Sequence, residues 1–197
     1  MAASLARLRM VLAVVAGLAA GALPASHAFA QKVGSLGGSF ELTDQAGKPF
    51  SSAALAGRPY AIFFGFTHCP DICPTTLLEM SNHLAVLGPD GDRLKVVFVT
   101  IDPERDTADH LRTYLASFDA RIIGLTGSEA QIAEAAKGWN AHHHKLPESD
   151  GSYTVVHSAY VYLMDANNHL AATLTFQEPE AQQLAKLRTL LAGKGAN

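Results

Sequence analysis

The sequence predicts an α/β fold, a central mixed β-sheet flanked by helices. Between residues 60 and 139, apolar runs of four to seven residues alternate with stretches whose apolar side chains recur at helical spacing. Beyond residue 150, strand-like runs on either side of a short turn lead into a last helix. The alternation sets strands side by side with helices over both sheet faces, and the closing hairpin adds an antiparallel part. No internal repeat or low-complexity linker interrupts the pattern after the first thirty residues.

Those first thirty read as a signal peptide, residues 1–30. Arg7 and Arg9 form a basic start, Val11–Leu23 is uncharged and apolar, and Ala28-Phe29-Ala30 is an A-x-A cleavage site. The apolar run is short for a membrane span, which needs about 20 residues. The expected domain is therefore 31–197, exported to the periplasm; the alternative is an uncleaved inner-membrane anchor with the domain outside. No cysteine stands at the cleavage site, which excludes a lipoprotein anchor. Losing two arginines and no acid takes the formal charge from −3 to −5, and nothing in the chain points to nucleic acid. An exported compartment is oxidising, so two neighbouring thiols there tend to a disulfide unless a reductant or a metal intervenes.

The elements follow in order. Phe40-Glu41-Leu42 and Pro49-Phe50, either side of a polar, Gly-bearing stretch, predict a β-hairpin within 34–54. Ser51–Leu55 reads as a short helical turn. Tyr60–Phe66 is a continuous apolar run, hence a buried strand. From Pro74, Leu77, Met80, Leu84 and Leu87 keep helical spacing, and Gly88-Pro89-Asp90-Gly91 ends that helix. Val96–Val99 is a second buried strand, stopped by Asp102-Pro103. Thr107 is a good N-cap for a helix whose stripe is Leu111, Tyr114, Leu115 and Phe118. Ile122–Leu125 is a third strand. Ser128 and Gln131 have capping-box spacing before a helix that shares Ile132, Ala135, Ala136 and Trp139 on one face. Residues 141–152 read as a polar, irregular loop. Val155–Met164 reads as one strand, Asp165–Asn168 as a turn and Leu170–Phe176 as another strand. Pro179 opens a last helix that buries Leu184, Leu187, Leu190 and Leu191.

Both cysteines, Cys69 and Cys73, fall where the first buried strand gives way to the first helix. Such a turn exposes thiols, and the helix start favours the thiolate on which nucleophilicity and metal affinity depend. If Cys73 begins or continues the helix, the C-x-x-x-C spacing sets both sulfurs on one face, where they can converge on one ligand. Pro70 and Pro74 each follow a cysteine, and Pro74 suits a first helical turn. The plain alternative is a structural disulfide, although so short a loop constrains the unfolded chain least.

The segments FGFTHCPDICPTTL (64–77), DPERDT (102–107) and YTVVHSAYVYLMD (153–165) resemble the SCO/SenC family of copper-binding proteins. The likeness runs from the hairpin to the last helix. It implies a thioredoxin-like fold with an N-terminal β-hairpin and an inserted strand and helix. It implies copper held by Cys69, Cys73 and His157, and a part in maturing the copper centres of cytochrome c oxidase, chiefly CuA. Some members are described as thiol-disulfide reductases instead.

The donor types agree with that implication. Thiolates are soft and select Cu(I), and imidazole serves copper in either oxidation state. With two cysteines in the chain, a Cys-rich zinc site is excluded. Spacing alone does not bring His157 to the thiols; pairing of its strand near the strand that feeds the cysteine turn would. Asp71 either tunes the thiols or faces a partner, or is a turn residue. Asp102 ends a buried strand at the sheet edge where sites form, and either supports the thiols or is turn chemistry. Pro103, Arg105 and Thr107 read as structural. His68 points away from Cys69, as adjacent residues do in extended chain. His83 is expected on the solvated side of its helix, and His142-His143-His144 in a solvated loop, the alternative being a cluster that binds a metal loosely.

The leading function is a copper metallochaperone that binds and transfers without turnover. Its partners would be subunit II of cytochrome c oxidase, which carries the CuA domain, and a copper donor protein. The alternative is a thiol-disulfide oxidoreductase in which Cys69 and Cys73 are a redox pair that keeps the cysteines of an apo copper protein reduced. A peroxidase fits poorly, because Thr67-His68-Cys69 is not a Thr-x-x-Cys arrangement.

Overall fold

The computed structural model describes residues 36–193, and the expected leader lies outside them. β1 (Glu41–Asp44) and β2 (Pro49–Ser51) form the predicted hairpin, with Leu42 opposite Phe50. β3 (Tyr60–Gly65) is buried at every position. α1 (Ile72–Leu87) starts just before Pro74, so Cys73 lies in its first turn; it ends at Gly88, whose φ of +56° suits glycine. β4 (Lys95–Thr100) precedes α2 (Ala108–Leu115), which the Thr107 hydroxyl caps by accepting from the His110 N–H. β5 (Ile122–Thr126) precedes α3 (Glu129–Gly138), opened by the capping box of Ser128 and Gln131. The chain then runs through β6 (His143–Pro147), β7 (Tyr153–His157), β8 (Tyr160–Met164), β9 (Leu170–Thr175) and α4 (Glu180–Leu191).

Seven strands form one mixed sheet in the order β2-β1-β5-β4-β3-β8-β9. β3, β4 and β5 run parallel, and β8 joins β3 antiparallel, with Phe63 opposite Val161. Full burial along β3 means that both faces of the sheet are covered. Among the described residues no helix is long and apolar enough to cross a membrane.

Three expectations need correction. Residues 141–152 are not an irregular loop. β6 and β7 pair antiparallel as a separate two-stranded ribbon, closed by a turn in which the Glu148 N–H donates to the Ser152 carbonyl at 2.9 Å and Gly151 takes φ +87°. The ribbon buries little of β6, so its sequence lacks the apolar alternation of a half-buried strand. Val155–Met164 is not one strand either. It breaks at Ser158-Ala159, with β7 in the ribbon and β8 in the main sheet. Finally, His83 is buried, with Nε2 3.0 Å from the Gln183 Oε1 of α4, because α4 packs on that flank of α1.

A buried charge cluster ties the ribbon to the sheet. Asp102, fully buried beyond β4, accepts from Arg105 Nε and, at 2.8 Å, from the Tyr153 hydroxyl. Arg105 Nη1 donates to the Tyr153 carbonyl at 3.0 Å, and the guanidinium lies 3.9 Å from the centroid of that ring. Asp102, left open by the sequence, thus anchors β7 at its first residue, and Arg105 has the structural role expected of it. Removing one partner of a buried pair costs about 3–5 kcal/mol, because the other charge stays behind unpaired. Arg105→Ala should therefore destabilise the protein by about 3 kcal/mol. Tyr153→Phe, which deletes one hydrogen bond, should cost about 1 kcal/mol. Urea unfolding of the two variants would show this order.

Candidate metal centre

β3 ends at Gly65, and the chain turns through Phe66–Pro70 before α1 begins. This turn is held by Asp106, a fully buried carboxylate. It accepts from the Thr67 N–H at 2.9 Å, the Thr67 hydroxyl at 2.5 Å and the Thr100 hydroxyl at 2.6 Å. The sequence suggests this role for neither Thr67 nor Asp106, although Asp106 lies within the DPERDT motif. Gly65 is needed where it stands, since a Cβ there would lie 2.9 Å from Cys73 Sγ and 2.8 Å from the Phe98 ring.

Both cysteines are free; Cys69 is partly exposed and Cys73 buried. The Cys73 N–H points at Cys69 Sγ, 3.4 Å away. His157, the last residue of β7, brings Nε2 to 3.6 Å from Cys73 Sγ. Its ring sits edge-on to Phe66 and Phe63, at centroid distances of 5.8 and 6.3 Å. Its Nδ1 lies 3.1 Å from the Ser158 carbonyl, which can only accept. That nitrogen therefore carries the proton, and the Nε2 lone pair is free for a ligand role. The two sulfurs and Nε2 all lie within 4.8 Å of one another.

The thiols are unequal. Cys69 is held far below the ordinary thiol range, first by the hydrogen bond from Cys73, then by His157 and the backbone amides of Asp71 and Cys73; partial burial opposes them. Cys73 is pushed up, because it shares its proton with Cys69 and because it is buried. The pair therefore carries one proton and one negative charge and titrates as a unit. Two soft sulfurs and an imidazole fit a low-coordinate copper ion.

The geometry brings together Cys69, Cys73 and His157, the residues singled out in the sequence. Asp71 is exposed at the N-cap of α1 and makes no side-chain cap bond. Asp102 serves the ribbon. His68 turns away from the thiols and stacks on His110, at a centroid distance of 5.5 Å. His142 and His144 are exposed, whereas His143 stands opposite His157 in the ribbon register, a juxtaposition the sequence did not suggest.

A seven-stranded mixed sheet of this topology, with a dithiol at the head of the helix after the inner strand β3, makes the chain a thioredoxin-like protein. It belongs to the SCO1/SenC family, whose family model matches residues 29–192. An SCO2-like protein of Rickettsia conorii is 42% identical over 134 residues, 67% of this chain and 65% of that protein; the chain thus spans just under two thirds of that relative's length. The structure of Bradyrhizobium japonicum ScoI with copper bound is 41% identical with a TM-score of 0.73, over 79% of this chain and 99% of that one. Yeast Sco1 with copper bound is 34% identical with a TM-score of 0.74, over 80% and 89%.

The lowered Cys69 thiol has a direct consequence. A group with a depressed pKa stays ionised until the pH falls through that depressed value. An ordinary thiol, with a pKa of about 8.5, loses nearly two orders of magnitude of thiolate between about pH 8 and pH 6. Alkylation of Cys69 by iodoacetamide should change little over the same interval, and Cys73 should stay unmodified. Mass mapping of the alkylated residue against pH would check both.

Proposed function

We propose that this chain is a copper metallochaperone. It is exported to the periplasm and binds one copper ion per chain through Cys69, Cys73 and His157. It takes copper from a donor protein and assists assembly of cytochrome c oxidase, at the CuA centre of subunit II. Membership of the SCO1/SenC family and the copper-bound relatives support the metal. The observation that carries the ligand set is the approach of His157 Nε2 to 3.6 Å from Cys73 Sγ, with Nδ1 already engaged. Copper is the cargo, so a site with few protein ligands, one of them at a partly exposed cysteine, suits its release.

A second reading has its own support. An exposed thiolate beside a buried, proton-bearing thiol is also the arrangement of a disulfide-exchange pair. On that reading the chain reduces the cysteines of an apo copper protein.

His157→Ala separates the two. It removes one of three ligands and leaves both thiols able to exchange. A loss of about 3 kcal/mol in binding is more than a hundredfold in affinity. Oxidase assembly should then fail in cells carrying only this variant, as it should with Cys69→Ser and Cys73→Ser, while exchange on a model disulfide continues. X-ray absorption of the Cu(I) form should show about two sulfurs and one light atom. Normal assembly with His157→Ala, and failure with the serine variants, would assign the function to exchange.

A further inference from the structure

We propose that His68, His110 and Asp106 form a second metal site, for a divalent transition ion, on the outer side of the cysteine turn. His68 Nδ1 and His110 Nε2 both face the Thr67 hydroxyl, at 3.1 and 2.9 Å, from rings stacked 18° from parallel. Asp106 Oδ1 lies 2.5 Å from the same hydroxyl and 3.8 Å from His68 Nδ1. The three donor atoms are all within 4.8 Å of one another. Two elements far apart in sequence thus aim two imidazoles and a carboxylate at one point.

A second observation asks for a cation there. Asp106 is fully buried, yet its three hydrogen bonds come from a backbone amide and two hydroxyls. Among the described residues, no lysine or arginine reaches its carboxylate, and His68 is the one basic side chain within 4 Å. Its neighbour Asp102, equally buried, has Arg105. A buried carboxylate without a positive partner is unfavourable, and a bound divalent ion would supply that partner. Entry is open, since His68 and His110 are both exposed.

The chemistry selects the ion. Two imidazole nitrogens and a carboxylate oxygen suit Cu(II) and Zn(II), whereas Cu(I) prefers the thiols. Thr67 now holds the focal point. Its hydroxyl donates to Asp106 and accepts from the rings, which keeps both nitrogens aimed inward. On binding, each ring carries its proton on the nitrogen facing away from the ion, and the hydroxyl rotates aside. The site shares the cysteine turn with the thiols through Thr67 and Asp106, but the proposal does not rest on the function proposed for them.

The test uses the full chain with Cys69→Ser and Cys73→Ser, which deletes the thiol ligands. Cu(II) alone is titrated by calorimetry and the product examined by electron paramagnetic resonance. One Cu(II) should bind, with hyperfine structure from two nitrogens. His110→Ala, a change at an exposed position, should weaken binding at least tenfold and remove one nitrogen from the spectrum. His68→Ala should do the same. Replacing His142, His143 and His144 with alanine should leave the affinity unchanged. Undiminished affinity with His110→Ala in a variant whose circular dichroism is unaltered would overturn the proposal. So would loss of binding with the triple substitution, which would assign the ion to the histidines at 142–144.

Discussion

The antiparallel pairing of β8 with β3 is the constraint on which the site rests. β3 delivers the cysteines at its carboxyl end. Because β8 runs the opposite way, with Phe63 opposite Val161, its amino end lies at that same edge of the sheet. The residues just before β8 must therefore arrive beside the cysteine turn, and His157 is among them. A separation of 84 residues in sequence becomes a 3.6 Å contact. A parallel β8 would carry His157 to the far edge, so the direction of one strand decides whether imidazole and thiols meet.

Strand direction brings His157 to the right edge; two buried carboxylates refine its position and that of Cys69. Asp102 and Asp106 both follow β4, and each holds a different loop. Asp102 binds Arg105 and Tyr153 and so anchors the ribbon that ends in His157. Asp106 gathers Thr67 and Thr100 and so shapes the turn that presents Cys69. An ion pair with a stacked guanidinium compensates the first charge, whereas hydroxyls and an amide solvate the second. The loop after β4 is thus the common support of both halves of the thiol site, which is why the DPERDT motif, which supplies neither a thiol nor His157, belongs to the pattern of the chain.

Much of the fold was legible because its elements carry strong local signals. β3 and β4 are unbroken apolar runs, Thr107 and Ser128 are the observed caps, and Gly88 ends α1. Cys69 and Cys73 were legible from spacing, whereas His157 rested on the resemblance, since only tertiary pairing brings it near. The failures share a cause. The ribbon was missed because β6 is largely exposed and has no buried face to set a period-two pattern. The break at Ser158-Ala159 is silent because the flanking residues on both sides favour strands. His83 was misplaced because one helix's periodicity says nothing of a second helix packed on its flank. Asp106 was overlooked because a single acid in a polar stretch reads as solvated, and its burial follows from the fold alone.

The shared proton of the thiols bears on how the site works. On the proposed copper reading, Cys69 would offer an anionic sulfur to an incoming ion, and Cys73 would release its proton to bind as thiolate. The seat of His157 is specific. Two aromatic edges confine the ring, and a carbonyl fixes its tautomer, so Nε2 has little freedom to turn away. Disulfide exchange needs a reactive Cys69 and an accessible Cys73, and the helix start with its hydrogen bonds already provides the first. The imidazole adds to the lowering of Cys69, but behind the larger contribution of Cys73. A soft monovalent ion at the two sulfurs would gain, because His157 would supply a third ligand of fixed direction. The orientation of His157, more than the reactivity of the cysteines, is the observation that supports the proposed metal transfer over exchange.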